Sequence, residues 1–257
     1  MRFYKYHGCG NDFLLIDEMQ GKNYSEIAKR MCNRRLGVGA DGLLVCSSSP
    51  PSMRIFNMDG SEATMCGNGI RCAAGYFVEK GVANPDERFE IRTLDGLKTV
   101  VVKSDGAVSV GMGRAKFGAD CFGEEYDIDG RRIMFYRVFT GCAHAVVFCD
   151  DVFKEILFGT GEKLSSCELF PQRVNVDLVR IESRKMLTVR TYERGVGYTA
   201  ACGTGACAAY AVARRLKLCD NETEIRFELG SMKVYGGEKM TLVGDSVNVF
   251  CGEWEEK

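Results

Sequence analysis

Cys66-Gly67-Asn68-Gly69-Ile70-Arg71-Cys72-Ala73-Ala74 and Cys202-Gly203-Thr204-Gly205-Ala206-Cys207-Ala208-Ala209 repeat one another at an offset of 136 residues. Each lies downstream of a strand-like run ending in a charged glycine turn: Arg54-Ile55-Phe56-Asn57-Met58-Asp59-Gly60 in one case, Leu187-Thr188-Val189-Arg190-Thr191-Tyr192-Glu193-Arg194-Gly195 in the other. Farther upstream, Gly8-Cys9-Gly10-Asn11 and Gly141-Cys142-Ala143-His144 stand 133 residues apart, each ahead of an apolar run, at 13–16 and 145–148. Three segments recurring in the same order at nearly one offset mark two homologous halves. The joint is expected within Gly113–Gly123. That gives an N-terminal lobe of residues 1–117 and a C-terminal lobe of residues 118–257, with the C-terminal strand a candidate to return to the first lobe.

After each Cys-Gly-x-Gly element the apolar spacing turns helical. Ile70, Ala73, Ala74, Phe77 and Val78 predict a helix over 68–79 with Gly81 as its stop, and Ala208, Val212 and Leu216 predict one over 204–216. Small residues crowd the first turns of both, which suits burial. Strand composition marks 89–93, 98–103, 107–112, 133–139, 145–148, 187–192, 224–227, 232–235 and 246–250. An exposed amphipathic helix is expected over 24–33, leading into the loop Gly37-Val38-Gly39-Ala40-Asp41-Gly42. The fold class expected is α/β of the α+β kind: two pseudo-symmetric lobes, each a mostly antiparallel or mixed sheet wrapped around a central helix.

Charge removes several functions from consideration. Lys and Arg total 34 against 35 for Asp and Glu, so no electrostatic footprint marks a nucleic-acid or anionic-membrane partner. No apolar run approaches the roughly eighteen residues of a membrane span, and the first ten residues carry Arg2, Lys5 and His7 with no signal-like apolar run behind them. A cytoplasmic location is the expectation. Thirteen cysteines, an odd number, do not suit a disulfide scaffold in such a chain. No Cys-x-x-Cys occurs and only His7 and His144 offer imidazole, so no metal site is expected. Cys46, Cys149, Cys219 and Cys251, in apolar surroundings, read as small core hydrophobes.

Cys66 and Cys202 are placed differently. A cysteine at a helix N-terminus sits beside backbone N–H groups that favour its thiolate, and flanking glycines let a ligand approach that backbone. Such a spot also binds carboxylates. Two halves facing each other would bring the two thiols to opposite sides of one small anion, one removing a proton from carbon while the other delivers one, which inverts a stereocentre. A single Gly-rich helix start is more simply a tight packing device; two copies at matched positions weaken that reading. Neither copy completes the dinucleotide fingerprint, no Gly-Lys-Ser/Thr follows for a P-loop, and Gly37–Gly42 reads as a turn or lid rather than a phosphate cradle.

Lys5-Tyr6-His7-Gly8-Cys9-Gly10-Asn11-Asp12-Phe13, the Gly37–Gly42 loop, the stretch from Asn57-Met58-Asp59-Gly60-Ser61-Glu62 to Cys72, and Glu193-Arg194-Gly195-Val196-Gly197 through Gly205 resemble the diaminopimelate epimerase family along the whole chain. The resemblance implies a substrate cleft between the lobes, an amino-acid substrate, neither pyridoxal phosphate nor metal, and a homodimer. Position by position it implies Cys66 and Cys202 as the catalytic pair, His144 and Glu193 as groups that poise them, and the backbone of Gly67-Asn68 and Gly203-Thr204 as the carboxylate cradle. Asn11, Asn57, Asn175 and Arg194 match contacts to the part of the substrate away from the reacting carbon.

The chain departs from the family where Cys142-Ala143 replaces Asn-Pro ahead of His144, and where Tyr198 stands one turn before Cys202 in place of an acidic or small residue. Both join the candidate substrate contacts, because a thiol lacks an amide's paired donor and acceptor and a tyrosine adds bulk and a phenol. The expected function is a cofactor-independent epimerase interconverting LL- and meso-diaminopimelate. The alternatives are a racemase of another polar amino acid such as histidine, and a non-catalytic binding protein or thiol redox sensor.

Overall fold

The chain forms a mixed α/β, sheet-rich fold, and the computed structural model describes residues 1–118 and 123–255 of it. Two compact units emerge, Met1–Gly111 with Val243–Lys257, and Met112–Leu242. Compared with the expected 1–117 and 118–257, the break falls a few residues earlier and the final stretch is grouped with the first unit. Of the expected joint, residues 119–122 lie outside the described residues, Cys121 among them.

The first unit runs β1 (Arg2–Gly8), β2 (Asn11–Asp17), α1 (Tyr24–Met31), β3 (Gly42–Ser48), β4 (Pro51–Asn57), β5 (Glu62–Ala63), α2 (Gly67–Glu79), β6 (Arg88–Thr93), β7 (Gly96–Val102) and β8 (Val108–Gly113), which carries the chain onward. The second runs β9 (Lys116–Phe117), β10 (Glu124–Ile128), β11 (Arg131–Phe139), β12 (Ala143–Phe148), α3 (Val152–Leu157), α4 (Thr160–Ser165), β13 (Asn175–Ser183), β14 (Met186–Glu193), β15 (Gly197–Thr199), α5 (Gly203–Arg215), β16 (Glu222–Arg226) and β17 (Ser231–Tyr235). Then β18 (Met240–Gly244) leads back to β19 (Val247–Glu253), which pairs with β1.

One pairing scheme is built twice. In the first unit β1–β2 is antiparallel, β2–β3 parallel, β3–β4 and β4–β5 antiparallel, β4–β6 parallel and β6–β7 antiparallel. In the second, β11–β12, β12–β13, β13–β14, β14–β15, β14–β16 and β16–β17 follow the same sequence of senses. Even register agrees: Ile55 faces Ala63 and Thr191 faces Thr199, each residue 136 positions from its counterpart.

The central helices explain the scheme. α2 packs against β1, β2, β3, β4, β7 and β19, and α5 against β11, β12, β13, β14, β16 and β17. A helix enclosed by strands must present small or apolar residues on every side, and every residue from Gly203 to Ala213 is buried. By contrast α1 buries only Tyr24, Ile27, Ala28 and Met31, the stripe of a surface helix, capped by Asn23. It ends short of the expected residue 33 because the glycine loop folds back over its last turn. The amides of Val38 and Gly39 donate to the Met31 carbonyl, that of Ala40 to Cys32 and that of Asp41 to Asp12. With those donors used internally the loop is a turn, not a phosphate cradle.

Some elements escaped the sequence pattern. β13 mixes polar and apolar residues, and α3 and α4 have six residues each, too few for helical periodicity to register. The reading of Cys251 as a core residue is corrected: β19 lies along β1 with its side chains in solvent, and Cys251 is exposed. Cys46 and Cys219 are buried, and Cys149 is half-buried.

Close approach at the start of α5 makes a side chain at position 205 costly. A Cβ there would lie 2.4 Å from Asp177 Oδ1 and 2.8 Å from Thr191 Oγ1, whereas one at Gly237 would meet nothing within 4 Å. Although Ala is the better helix former, Gly205→Ala is expected to lose about 1–3 kcal/mol in urea unfolding, and Gly237→Ala to stay within about 0.5 kcal/mol of the native chain. Equal stabilities for the two variants would contradict this packing.

Candidate active site

Cys66 opens α2 from an extended backbone (φ −140°, ψ 124°), and its sulfur accepts the Gly69 N–H at 3.4 Å. Asn11, at the start of β2, presents Oδ1 to Asn68 Nδ2 at 2.9 Å and to the Cys66 thiol at 3.9 Å. Beneath them the fully buried Arg71 donates to the Gly67 carbonyl, to Asn68 Oδ1 and to the Asp245 carbonyl, each at 3.0 Å. The helix start is thus braced from inside by a guanidinium. Asn57 ends β4 opposite Gly42 and closes the following turn by donating to Ser61 Oγ at 2.9 Å.

In the second unit Cys202 caps α5 in the same way (φ −128°, ψ 115°), accepting the Gly205 N–H at 3.4 Å, with Thr204 Oγ1 at 3.3 Å. His144 pairs in register with Asn175 across the parallel β12–β13 ladder. Asp177, two residues along, projects from the same face as Asn175. His144 Nδ1 lies 2.7 Å from Asp177 Oδ2, and Thr191 Oγ1 donates to Asp177 Oδ1 at 2.8 Å. On the other side of the ring, His144 Nε2 reaches Thr204 Oγ1 at 3.0 Å and Cys142 Sγ at 3.2 Å. Asn175 Nδ2 donates to Cys142 Sγ at 3.2 Å, and Asn175 Oδ1 receives the Arg194 backbone N–H at 2.8 Å. Glu193 accepts Thr199 Oγ1 at 2.6 Å.

Burial and neighbouring charge set the protonation states. Burial works to lower the His144 pKa, but the Asp177 carboxylate and the Cys142 sulfur outweigh it and raise it to about 10. Burial likewise works to raise Cys142, yet the His144 hydrogen bond and charge bring it below the ordinary thiol value. For Cys202 burial wins, reinforced by Glu193 and Asp177, so this thiol is pushed well above its usual range despite its place at a helix N-terminus. Burial also raises Glu193, against hydrogen bonds from Thr199 and Cys202.

The candidates therefore gather in two groups: Cys66, Gly67, Asn68 and Asn11 in the first unit, and Cys202, Gly203, Thr204, His144, Cys142, Asn175 and Glu193 in the second. His144 reaches Cys202 through the Thr204 hydroxyl. The Arg194 side chain extends to the Gln172 carbonyl at 3.4 Å. Tyr198 stacks edge-on against Tyr192 at 5.2 Å and brings its hydroxyl to Gly161 of α4, which absorbs its bulk. Sequence reading missed Asp177, Thr191 and Arg71. A signal existed for Asp177, since polar Asn175 and Asp177 alternate with buried Val176 and Leu178 on one strand. None existed for Arg71, whose partners lie as far away as Asp245.

Comparison with known proteins follows the same lines. The sequence model of the diaminopimelate epimerase family matches residues 3–118 and 136–242. The chain is 38% identical to a diaminopimelate epimerase of Caldanaerobacter subterraneus subsp. tengcongensis over 99% of this chain and all of that one. It is 40% identical to a diaminopimelate epimerase of Archaeoglobus fulgidus over 97% and 95% of the two chains. Among solved structures, a phenazine biosynthesis protein of the PhzF family from Bacillus anthracis superposes with a TM-score of 0.76 at 16% identity, covering 100% of this chain and 99% of that one. A hydroxyproline epimerase from Agrobacterium vitis with bound trans-4-OH-L-proline gives 0.74 at 14%, covering 98% and 91%. At those identities the likeness is one of fold.

The His144–Asp177 pair predicts a pH-dependent stability. A histidine raised from about 6.5 in the unfolded chain to about 10 when folded contributes stability that is complete below pH ~6.5 and lost as pH rises through ~10. Thermal unfolding followed from pH 6 to 10.5 is expected to show a falling Tm that His144→Gln flattens. Identical slopes in both proteins would remove the ion pair from the account.

Proposed function

This chain belongs to the diaminopimelate epimerase family, and from that premise we propose that it inverts the α-carbon at one end of diaminopimelate, with Cys66 and Cys202 as the two proton-transferring thiols. The observation that carries the reading is the duplicated helix start: each repeat caps its buried helix with a cysteine whose sulfur accepts the third amide of the first turn.

The reaction requires a base on one face of the carbon and an acid on the other. One sulfur takes the α-proton, and the electron pair left behind spreads into the substrate carboxylate. The backbone N–H groups of Gly67-Asn68 and Gly203-Thr204 are the donors for that carboxylate, because first-turn amides lack helical acceptors and sit at the positive end of the helix dipole. The opposite thiol then gives its proton to the other face. Cys202, held protonated by burial, serves as the acid in the first inversion. When it must act as base, Glu193, whose carboxyl burial raises and which hydrogen-bonds with the Cys202 thiol, receives its proton. His144 acts on Cys202 at one remove, by fixing the Thr204 hydroxyl beside it. The scheme calls for no pyridoxal phosphate and no metal.

Asn11, Asn57, Asn175, Arg194, Cys142 and Tyr198 are assigned to the distal ammonium and carboxylate, with Arg194 the natural partner of the carboxylate. Cys142 in place of an amide favours a second reading, racemisation of another polar amino acid. A homodimer in the cytoplasm completes the proposal, checked by light scattering and cell fractionation.

Cys66→Ala and Cys202→Ala are each expected to reduce inversion at least a thousandfold, because neither thiol serves both faces; near-native turnover of either variant sinks the scheme. Across a panel in heavy water, α-deuterium incorporation is expected to be fastest into LL-diaminopimelate, ahead of L-lysine and L-histidine, which lack the second carboxylate. Faster exchange of L-histidine would transfer the assignment to the second reading.

A further inference from the structure

We infer that Cys142 is a pre-activated nucleophile that reduces hydroperoxides, with Cys202 as its resolving thiol. The inference stands apart from the epimerase reading and rests on how the Cys142 sulfur is surrounded. Asp177 orients His144 at 2.7 Å, and His144 Nε2 meets Cys142 Sγ at 3.2 Å, the acid–base–nucleophile order that activates a cysteine. The Asn175 amide donates to the same sulfur at 3.2 Å, and the Thr204 hydroxyl lies 3.4 Å away. An amide, an imidazole and a hydroxyl converging on one sulfur stabilise the thiolate, and Cys142 is only partly covered.

The charged groups that act on it are His144 from β12 and Asp177 from β13, and Cys202 at the head of α5 shares its Thr204 neighbour. The cation, His144, touches the sulfur directly, and its other ring nitrogen meets the Asp177 carboxylate. Titration agrees with the geometry: Cys142 moves down, while burial pushes Cys9, Cys32 and Cys149 up to about 12 and Cys46 and Cys72 higher still.

The chemistry balances with a hydroperoxide as oxidant. The Cys142 thiolate attacks the terminal oxygen, an S–O bond forms as the O–O bond breaks, and the departing alkoxide or hydroxide takes a proton from the His144 imidazolium. Cys142 is left as a sulfenic acid. Cys202 lies within 3.3 Å of the same Thr204 oxygen that Cys142 approaches at 3.4 Å, so the two sulfurs share a neighbour within one unit. The Cys202 thiol attacks the oxidised sulfur, an S–S bond forms, the S–O bond breaks, and water leaves with the thiol proton. A dithiol reductant reverses the bond by exchange.

The test uses the full-length chain and readouts independent of epimerisation. Hydrogen peroxide at one equivalent, pH 6.5, followed by digestion and mass mapping, is expected to yield a Cys142–Cys202 disulfide as the first product. In Cys202→Ser, dimedone is expected to trap Cys142 as sulfenic acid. Iodoacetamide labelling of Cys142 in the native protein is expected to have a midpoint below the ordinary thiol value of about 8.5, and at pH 6.5 to run at least tenfold faster than in Asp177→Asn. A first disulfide between Cys66 and Cys202, or Cys142 labelling with an ordinary thiol midpoint, overturns the inference. Because the midpoint is read in the native chain, the decision survives a failure of Asp177→Asn to fold.

Discussion

Asp177 is a carboxylate with no exposed surface, and a buried charge survives only if charge and hydrogen bonds match it. Everything around the start of α5 follows from that constraint. Gly205 has no side chain because Asp177 Oδ1 occupies the space, Thr191 donates to one carboxylate oxygen, and His144 takes the other as an imidazolium. The helix N-terminus above contributes favourable partial charge. Once His144 is cationic, its far nitrogen must donate, and the groups within reach are the Thr204 hydroxyl and the Cys142 sulfur. One buried carboxylate therefore sets the protonation of a histidine, the orientation of a threonine beside Cys202, and the reactivity of a third thiol.

The first unit solves the same backbone problem with amides and a guanidinium in place of the titrating pair. At the repeat positions of His144 and Glu193 it carries Asn11 and Asn57, amides that orient without titrating. At the repeat position of Cys207 it places Arg71, whose guanidinium ties Gly67 and Asn68 to Asp245. A cation beneath the first turn opposes the helix dipole unless its donors are matched by carbonyl oxygens, which is how Arg71 is held. Duplication preserved the cysteine cap and the enclosing strands, while the polar layer beneath each cap diverged. In the proposed reaction that asymmetry gives Cys202 a titrating partner and Cys66 a fixed amide frame.

Much of this is legible in the sequence. The doubled Cys-Gly-x-Gly element located both buried helices to within a residue at their starts, because a helix packed on all sides tolerates only small and apolar residues and writes that requirement into sequence. The 136-residue offset recurs in strand register. Short α3 and α4 and the polar-studded β13 were not legible, because six residues carry no period and β13 owes its polar positions to side chains elsewhere. Cys251 misled for a related reason: apolar neighbours in sequence do not bury a residue on a strand whose faces meet solvent.

By itself the sequence determined the two-fold repeat, the central helices and the cysteine at the head of each, since these depend on local periodicity and on glycine and cysteine at fixed spacing. Only the tertiary structure decided which groups those cysteines meet. Asp177, Thr191 and His144 come together across three strands, and Arg71 finds its carbonyl partner 174 positions away. The protonation of Cys202 was decided there as well. A helix N-terminus read from sequence favours the thiolate, but desolvation and the charges of Glu193 and Asp177 outweigh the dipole and keep the proton on sulfur. Their strength depends on distance and burial, which no spacing along the chain records.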